Sequence, residues 1–411
     1  MIIKSIKLED WNQFENVNIQ FHPNLTVLTG ANGAGKSTIL RMFSRLIGWG
    51  VGETATPFKR NSNAGFKYRL GGRRAIQPKS HTDWLDIGDI ELEDGQHSKI
   101  HVPDVVESPN YGTSLSTSLS IRGLNIPSHR TAYTYRQVTT IPVRPLTRTE
   151  AFHNFNSSLI NRLMGNYTDT TPTVQMKSTL ISWALFGKGN DHVVENEEAY
   201  ELFLGFIEIL KILLPPTLGF EDISIREGEV VLVTNSGEFL LDAVSGGIGA
   251  VLDLAWQIYM FNGNKMEPFV VLIDEAENHL HASMQRRLMP SLIQAFPNVQ
   301  FIISTHSPLM VNSIKDSSVY VLKYNDNNSV VSELLDFENK AANATEILRD
   351  VLGVPVTMPI WVEDSLKDIL ESYRGHEITA ESYIRLKEDL SAVGLNDHLP
   401  QALGILQGGT F

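Results

Sequence analysis

The sequence predicts an α/β fold with a mixed central sheet, an antiparallel β subdomain and a helical lobe. Three observations predict it. First, the apolar run Phe269–Ile273 and the run VQFIIST read as strands buried on both faces, and a helical pattern separates them, as in a parallel sheet. Second, the stretches around Asp94-Gly95, Glu227-Gly228 and Asn235–Gly237 alternate like antiparallel hairpins. Third, from Arg148 to Leu213 the period turns helical in AFHNFNSSLINRLM, VQMKSTLISWALF and EEAYELFLGFIEILKILL, and Pro215-Pro216 stops it.

Residues 1–29 read as two or three strands: MIIKSIKLEDW, VNIQF and LTVLTG. The last opens the stretch Leu25–Ser44, in which a strand, a glycine-rich turn and an apolar-periodic helix follow one another. The turn and helix start, Gly30, Ala31, Asn32, Gly33, Ala34, Gly35, Lys36, Ser37 and Thr38, spell GxxxxGK[ST] in the strand–turn–helix context that the motif requires. Glycines let successive N–H groups point at one anion, and the helix N-terminus adds partial positive charge. Lys36 then reaches β- and γ-phosphates, and Ser37 offers its hydroxyl to magnesium (Mg²⁺).

The chain has 411 residues, enough for a large core and two lobes. It has no cysteine, which excludes disulfides and thiolate metal sites. The opening MIIKSIKLEDW lacks the apolar core of a signal peptide, and no run approaches the roughly 18 apolar residues of a membrane span. Together these features predict a cytoplasmic protein. The net charge of −13 does not advertise nucleic-acid binding by the whole surface. Charge is nevertheless local. Between Glu53 and Asp83 no acidic residue occurs, while Lys59, Arg60, Lys67, Arg69, Arg73, Arg74 and Lys79 all do. This segment, a long loop or mobile insertion, is equally a candidate nucleic-acid patch and a solvated loop. SLSTSLSIRG alternates and reads as a further strand.

The second half supplies more chemistry. Ser245, Gly246 and Gly247 precede the helix AVLDLAWQIYMF, and free N–H groups at a helix start form a second anion site. Asp274 ends the buried strand Phe269–Ile273 at the carboxyl edge, where ligands bind in open α/β sheets and where it can hold Mg²⁺. Glu275, one residue on, is placed to deprotonate an attacking water. His306 ends the next strand and can donate a hydrogen bond to a γ-phosphate.

GANGAGKST, VSGG, VVLIDEAE and STHS, in that order, resemble the ABC-class ATPases. The resemblance is good over residues 1–48 and 218–325. The short strand pair before TGANGAGKS and the run DEAENHLH are similar to the RecF/SMC/OLD branch. The resemblance implies an ABC-type P-loop NTPase with ATP and Mg²⁺ as cofactors. It makes Ser245, Gly246 and Gly247 the signature, Glu275 the catalytic base and His306 the switch histidine. Gln137 becomes the candidate link between nucleotide and variable lobe. In this class two ATPs lie between two protomers, so a dimer is the minimal unit. A narrower resemblance is to the ATPases of Septu-type anti-phage systems, which implies an oligomer that gates an HNH nuclease partner. A RecF-like DNA-repair ATPase that binds DNA ends and a non-catalytic ATP-stabilised scaffold stay open as alternatives.

The expected organisation is an N-terminal lobe at 1–147 with the basic insertion 53–83, a helical insertion at 148–217, a C-terminal ATPase lobe at 218–325 and an extension at 326–411 for partner or oligomer contacts. Within the extension, Ile360-Trp-Val-Glu363 reads as a strand before a helix and resembles the opening of a Toprim nuclease domain. No Asp-x-Asp follows, and only 48 residues remain after Glu363, so no nuclease activity of its own is expected. TAESYIRLKEDLSAV reads as an amphipathic helix with Tyr383, Leu386, Leu390 and Val393 on one face.

Overall fold

The structure, a computed structural model, describes residues 2–49, 52–59, 66–69, 84–103, 105–106, 109–130, 133–163, 165–166, 170–263, 267–336, 344–352, 360–373 and 379–406. In chain order the first strands are β1 (Ile3–Trp11), β2 (Phe14–Gln20), β3 (Leu25–Gly30), β4 (Glu53–Thr54), β5 (Thr56–Lys59) and β6 (Phe66–Arg69). There follow β7 (Trp84–Leu92), β8 (His97–Pro103), β9 (Val105–Val106), β10 (Asn110–Tyr111), β11 (Ser114–Leu115) and β12 (Gly123–Ile126). The second half carries β13 (Phe220–Arg226), β14 (Glu229–Thr234), β15 (Gly237–Leu240), β16 (Phe269–Ile273), β17 (Val299–Ser304), β18 (Ser318–Tyr324) and β19 (Val330–Leu334). The longer helices of the same unit are α1 (Lys36–Leu46), α2 (Arg148–Leu163), α3 (Pro172–Gly187), α4 (Glu197–Leu213), α5 (Gly246–Asn262) and α6 (Ala282–Ala295).

One mixed sheet of eleven strands organises residues 1–341, in the order β11-β8-β7-β1-β2-β19-β18-β3-β17-β16-β12. Its two halves obey different sequence rules. β18, β3, β17, β16 and β12 run parallel, and every residue of β3, β16 and β17 is buried. That is why these strands are continuously apolar. β1, β2, β7 and β8 pair antiparallel and alternate buried with exposed positions, as in the IKSIKLEDW of β1. The hairpin expected at Asp94-Gly95 joins β7 to β8. β13, β14 and β15 form a separate antiparallel sheet. α1 packs Ile39, Leu40 and Phe43 into the core that Leu28, Val270, Leu272 and Ile302 share with β1 and β2.

The helical region is built around a helix from elsewhere in the sequence. α5 is buried at every position from Gly249 to Met260, which its all-round apolar character requires. Trp256 on α5 meets the rings of Phe206 (α4), Trp183 (α3) and Phe155 (α2) at centroid distances of 5.0, 5.8 and 6.4 Å. The three inserted helices therefore share their core with the helix that Ser245 begins.

Several expectations are corrected. Of SLSTSLSIRG only Ser114–Leu115 pairs as a strand; the next strand begins at Gly123. Beyond it one backbone bond remains, from Ser116 N–H to the Lys99 carbonyl, and hydroxyls take the rest: Ser116 Oγ accepts the Lys99 N–H, and Ser98 Oγ of β8 accepts the Thr117 N–H. Part of the stretch assigned to the extension belongs to the central sheet, because β19 pairs with both β18 and β2. Ile360–Glu371 is helical from its first residue, so Ile360–Glu363 is not a strand. Val362, Leu366 and Leu370 recur at helical spacing and join Leu386, Leu390, Leu395 and Ala402 in a separate small core. This core belongs to the second compact unit, Ala342–Phe411. The expected helix near the terminus is present at Ala380–Ala392 and buries Leu386 and Leu390, but Tyr383 and Val393 stay exposed. Of the basic stretch Lys59–Lys79, Lys59 lies in β5 and Lys67 and Arg69 in β6; Arg60, Arg73, Arg74 and Lys79 fall outside the described residues. Among the described residues no helix is long and apolar enough to cross a membrane.

Trp256→Ala removes the ring on which three helices meet, and it is expected to cost about 3–5 kcal/mol. Urea unfolding of the two proteins measures this; a difference below about 1 kcal/mol would show that the helices do not depend on that ring.

Candidate functional site

The parallel half of the sheet brings three strand ends to one edge. β3 ends at Gly30, with φ +130, where a Cβ would lie 2.2 Å from the Leu322 carbonyl oxygen of β18. Only glycine fits that approach. At Gly35, with φ +96, a Cβ would come within 2.4 Å of the Phe14 ring, and α1 starts at the next residue. The turn between them is held from outside: Gln13 Nε2 and Tyr324 Oη both donate to the Gly33 carbonyl, at 3.3 and 3.0 Å.

Lys36 is buried and curls back over the turn. Its Nζ donates to the carbonyls of Gly30 and Ala31 at 2.9 and 3.0 Å. Burial pushes its pKa down to about 8, against the opposing pull of Asp274, Glu277 and Glu275. A desolvated ammonium in the first turn of a helix suits a polyanion.

Asp274 stands at the end of β16, and Ser37 Oγ donates to its Oδ1 at 2.9 Å. Ser304, at the end of the neighbouring β17, donates to the same oxygen. The Ser304 hydroxyl also accepts the Glu275 N–H at 2.8 Å. The Ser37 hydroxyl at the start of α1 joined to the Asp274 carboxylate after β16 is a hard-oxygen pair that fits Mg²⁺. Glu275 sits at φ +46, a left-handed conformation uncommon for a residue with a side chain. Its Oε2 accepts Asn278 Nδ2 at 2.7 Å, and the same amide reaches the Ser128 carbonyl at 3.1 Å. Glu277 Oε1 accepts the backbone N–H of His306 at 2.5 Å. His306 has its pKa lowered, first by burial and then by the nearby Lys36 charge, so the imidazole is neutral at pH 7.

These residues converge. Asn32, Gly33, Gly35, Lys36, Ser37 and Thr38 line one cleft, and Glu275, His306 and Gln13 close it. Asp274 joins them through Ser37. Ala34 is buried beneath the turn. The other candidate group lies apart from this cleft. Ser245 caps α5, its Oγ accepting the Ile248 N–H at 3.5 Å, and both it and Gly246 are exposed. Gln137 is exposed in an irregular stretch and does not line the cleft. Its neighbour Arg136 instead donates its N–H to Asp242, close before Ser245.

Sequence reasoning missed Gln13, Tyr324, Asn278, Glu277 and Ser304. Asn278 and Glu277 had a signal, since both stand in the run DEAEN behind Asp274. Gln13 and Tyr324 had none, because only the sheet order brings them to Gly33.

A mixed sheet with this strand–loop–helix at its carboxyl edge defines the class: an α/β ATPase of the P-loop type. Residues 25–312 match the family described as "AAA domain, putative AbiEii toxin, Type IV TA system", and the chain belongs to that family. It is similar to a Septu protein PtuA of Bacillus thuringiensis, with 21% identity over 88% of this chain and 87% of that one. It is also similar to the Retron Ec83 probable ATPase of Escherichia coli, with 29% identity over 44% of this chain and 32% of the relative, and so spans about a third of that protein's length. Among solved structures, an SMC head bound to the C-winged helix domain of ScpA aligns at a TM-score of 0.46 with 17% identity, covering 82% of this chain and 98% of that one.

The state of Lys36 gives a pH test. Folded, its pKa of about 8 lies below the unfolded value near 10.5, so between those values the unfolded chain binds more protons. The stability of nucleotide-free protein should therefore rise with pH across that window relative to Lys36→Met. Urea denaturation of both proteins at pH 8 and at about pH 10 checks it; parallel pH dependence would show that Lys36 is not held below its ordinary value.

Proposed function

We propose that the chain is an ATP-hydrolysing ATPase that assembles into a homo-oligomer, with a dimer as minimal unit, and gates a partner nuclease of HNH type in anti-phage defence. The proposed setting is the cytoplasm. The observation that carries the reading is the Ser37–Asp274 contact in the cleft that also holds Lys36, Glu275 and His306. The defence role is supported by likeness to a Septu protein PtuA along nearly the whole of both chains.

The geometry of the cleft supports the following roles. The N–H groups from Gly30 to Thr38 and the Lys36 ammonium bind the phosphates. Ser37 and Asp274 would hold Mg²⁺, which supplies charge neutralisation at the β- and γ-oxygens when bound. Glu275 takes the proton of the attacking water, and the Asn278 amide fixes which carboxylate oxygen is free to do so. Neutral His306 donates a hydrogen bond toward the γ-phosphate. Ser245, Gly246 and Gly247 lie outside this cleft at the start of α5, and this reading assigns them to the site of a second copy. Nucleotide bound across that interface favours the closed assembly, and hydrolysis loosens it. The basic stretch Lys59–Lys79 is the proposed nucleic-acid contact.

The test measures ATP turnover, nuclease activity and mass, with and without the products of neighbouring genes. Lys36→Ala should lose nucleotide binding. Glu275→Gln should keep binding, lose roughly 10²–10⁴-fold in turnover and stay in the larger ATP-bound form on sizing. DNA should be cut only with the partner present. Nucleotide binding without turnover in every preparation would replace this reading with that of a scaffold.

Asn278→Ala should leave nucleotide affinity unchanged and lower turnover by about 10–100-fold, since it frees the Glu275 carboxylate without touching the phosphate loop. Equal turnover in the two proteins would show that Glu275 needs no such restraint.

A further inference from the structure

Lys177 is the one charged residue of α3, and only 1% of its side chain is exposed. It has no place in the cleft. Its Nζ donates to the Asp242 carboxylate at 2.6 Å, to Glu229 on β14 at 2.9 Å and to the Arg136 carbonyl at 2.9 Å. All three N–H donors are thus used, each on a different segment of chain. Asp242 reinforces the junction by accepting the Arg136 N–H at 3.3 Å, and Tyr135 Oη donates to the other oxygen of Glu229 at 3.0 Å. Asp242 lies in the short turn Leu241–Ala243, and only Ala243 and Val244 separate it from Ser245 and the start of α5.

A buried ion pair is a poor way to fill space; an apolar side chain of the same volume packs as well or better. What an ammonium adds is direction. It fixes α3, the 133–147 stretch and the β13–β15 sheet against the turn that carries the exposed Ser245-Gly246 pair. α5 itself already shares the Trp256 core with α2, α3 and α4. Any displacement of the inserted helices is therefore felt at both the side and the N-terminus of α5.

We infer that Lys177 is a positioning residue whose three-way contact with Asp242, Glu229 and the Arg136 backbone sets the Ser245–Gly247 turn, so that the helical region controls whether this chain can complete the nucleotide site of a second copy. The inference rests on the reading given under Proposed function.

The test uses the full chain and Asp242→Asn, which keeps the shape of the side chain and leaves Lys177 held by Glu229 and Arg136. Lys177→Met is the second variant. Both should bind a fluorescent ATP analogue within about twofold of wild type, because the phosphate loop is untouched, and lose about 10–100-fold in turnover. Hydrogen exchange should quicken at the amides of 243–249 and stay unchanged along β3 and β16. A lower Tm with wild-type turnover per folded molecule, or unchanged exchange at 243–249 in Asp242→Asn, would overturn the inference. If wild type itself binds ATP without turnover, the ATPase reading fails, and local exchange at 243–249 decides the positioning role alone.

Discussion

The hydroxyl of Ser37 and the carboxylate of Asp274 meet at 2.9 Å although 237 residues of chain separate them. That contact needs three strand ends in register. β3 pairs parallel with β17, and β17 with β16, so that Leu28 faces Ser304 and Ile303 faces Ile273. An error of one residue in either pairing turns Asp274 away from the cleft, because side chains alternate along a strand. The continuous burial of β3, β16 and β17 enforces the register from both faces. Ser304 locks it at the edge, bonding the Asp274 carboxylate and the Glu275 N–H with one hydroxyl. The cleft is thus a property of the sheet more than of the loop that lines it.

Charges of both signs crowd the cleft. Asp274, Glu275 and Glu277 stand near Lys36, whose own charge burial disfavours. Arg130 is drawn in as well: its Nη2 lies 3.5 Å from the Asp274 carbonyl, and burial holds its pKa down to about 10 against the pull of Asp253 and these carboxylates. The second oxygen of Glu277 is buried and finds no donor among the described residues. Such an arrangement is poised for a polyanion and a hard cation together, each of which relieves a different part of the imbalance. The left-handed backbone at Glu275 adds strain of the kind that persists where surrounding structure over-determines it.

Much of this was legible in the sequence, and for a local reason. The turn from Gly30 to Thr38 and the Asp274-Glu275 pair are short words whose meaning depends on the strand just before them, and those strands are pure in composition. What was not legible depends on distant pairing. Gln13 and Tyr324 reach Gly33 only because β2, β19, β18 and β3 lie side by side. The misreading at Ile360–Glu363 has another cause. A short apolar run of aromatic and β-branched residues fits strand and helix alike, and the arbiter was the Val362, Leu366, Leu370 spacing further on. SLSTSLSIRG misled in the opposite sense: serines alternate well, but the hydroxyls of Ser116 and of Ser98 on β8 compete for the backbone, and regular pairing gives way after Ser116.

α5 shows why a division of this chain by sequence segments conceals how it works. By position it follows the β13–β15 sheet, and by packing it is the pillar of α2, α3 and α4. Its first residues are exposed while its body is the most buried helix in the unit, so the start of α5 cannot move without dragging an interior helix or breaking from it. Tyr133 restrains it again: its Oη donates to Asp253, and its ring would meet any Cβ at Gly249 within 2.8 Å. The stretch that follows Tyr133 leads through Arg136 to Asp242, and from there to Ser245. Burial therefore imposes on this chain a coupling that the phosphate loop lacks: the loop is set by the sheet, and the exposed helix start is set by the helices inserted between the two halves.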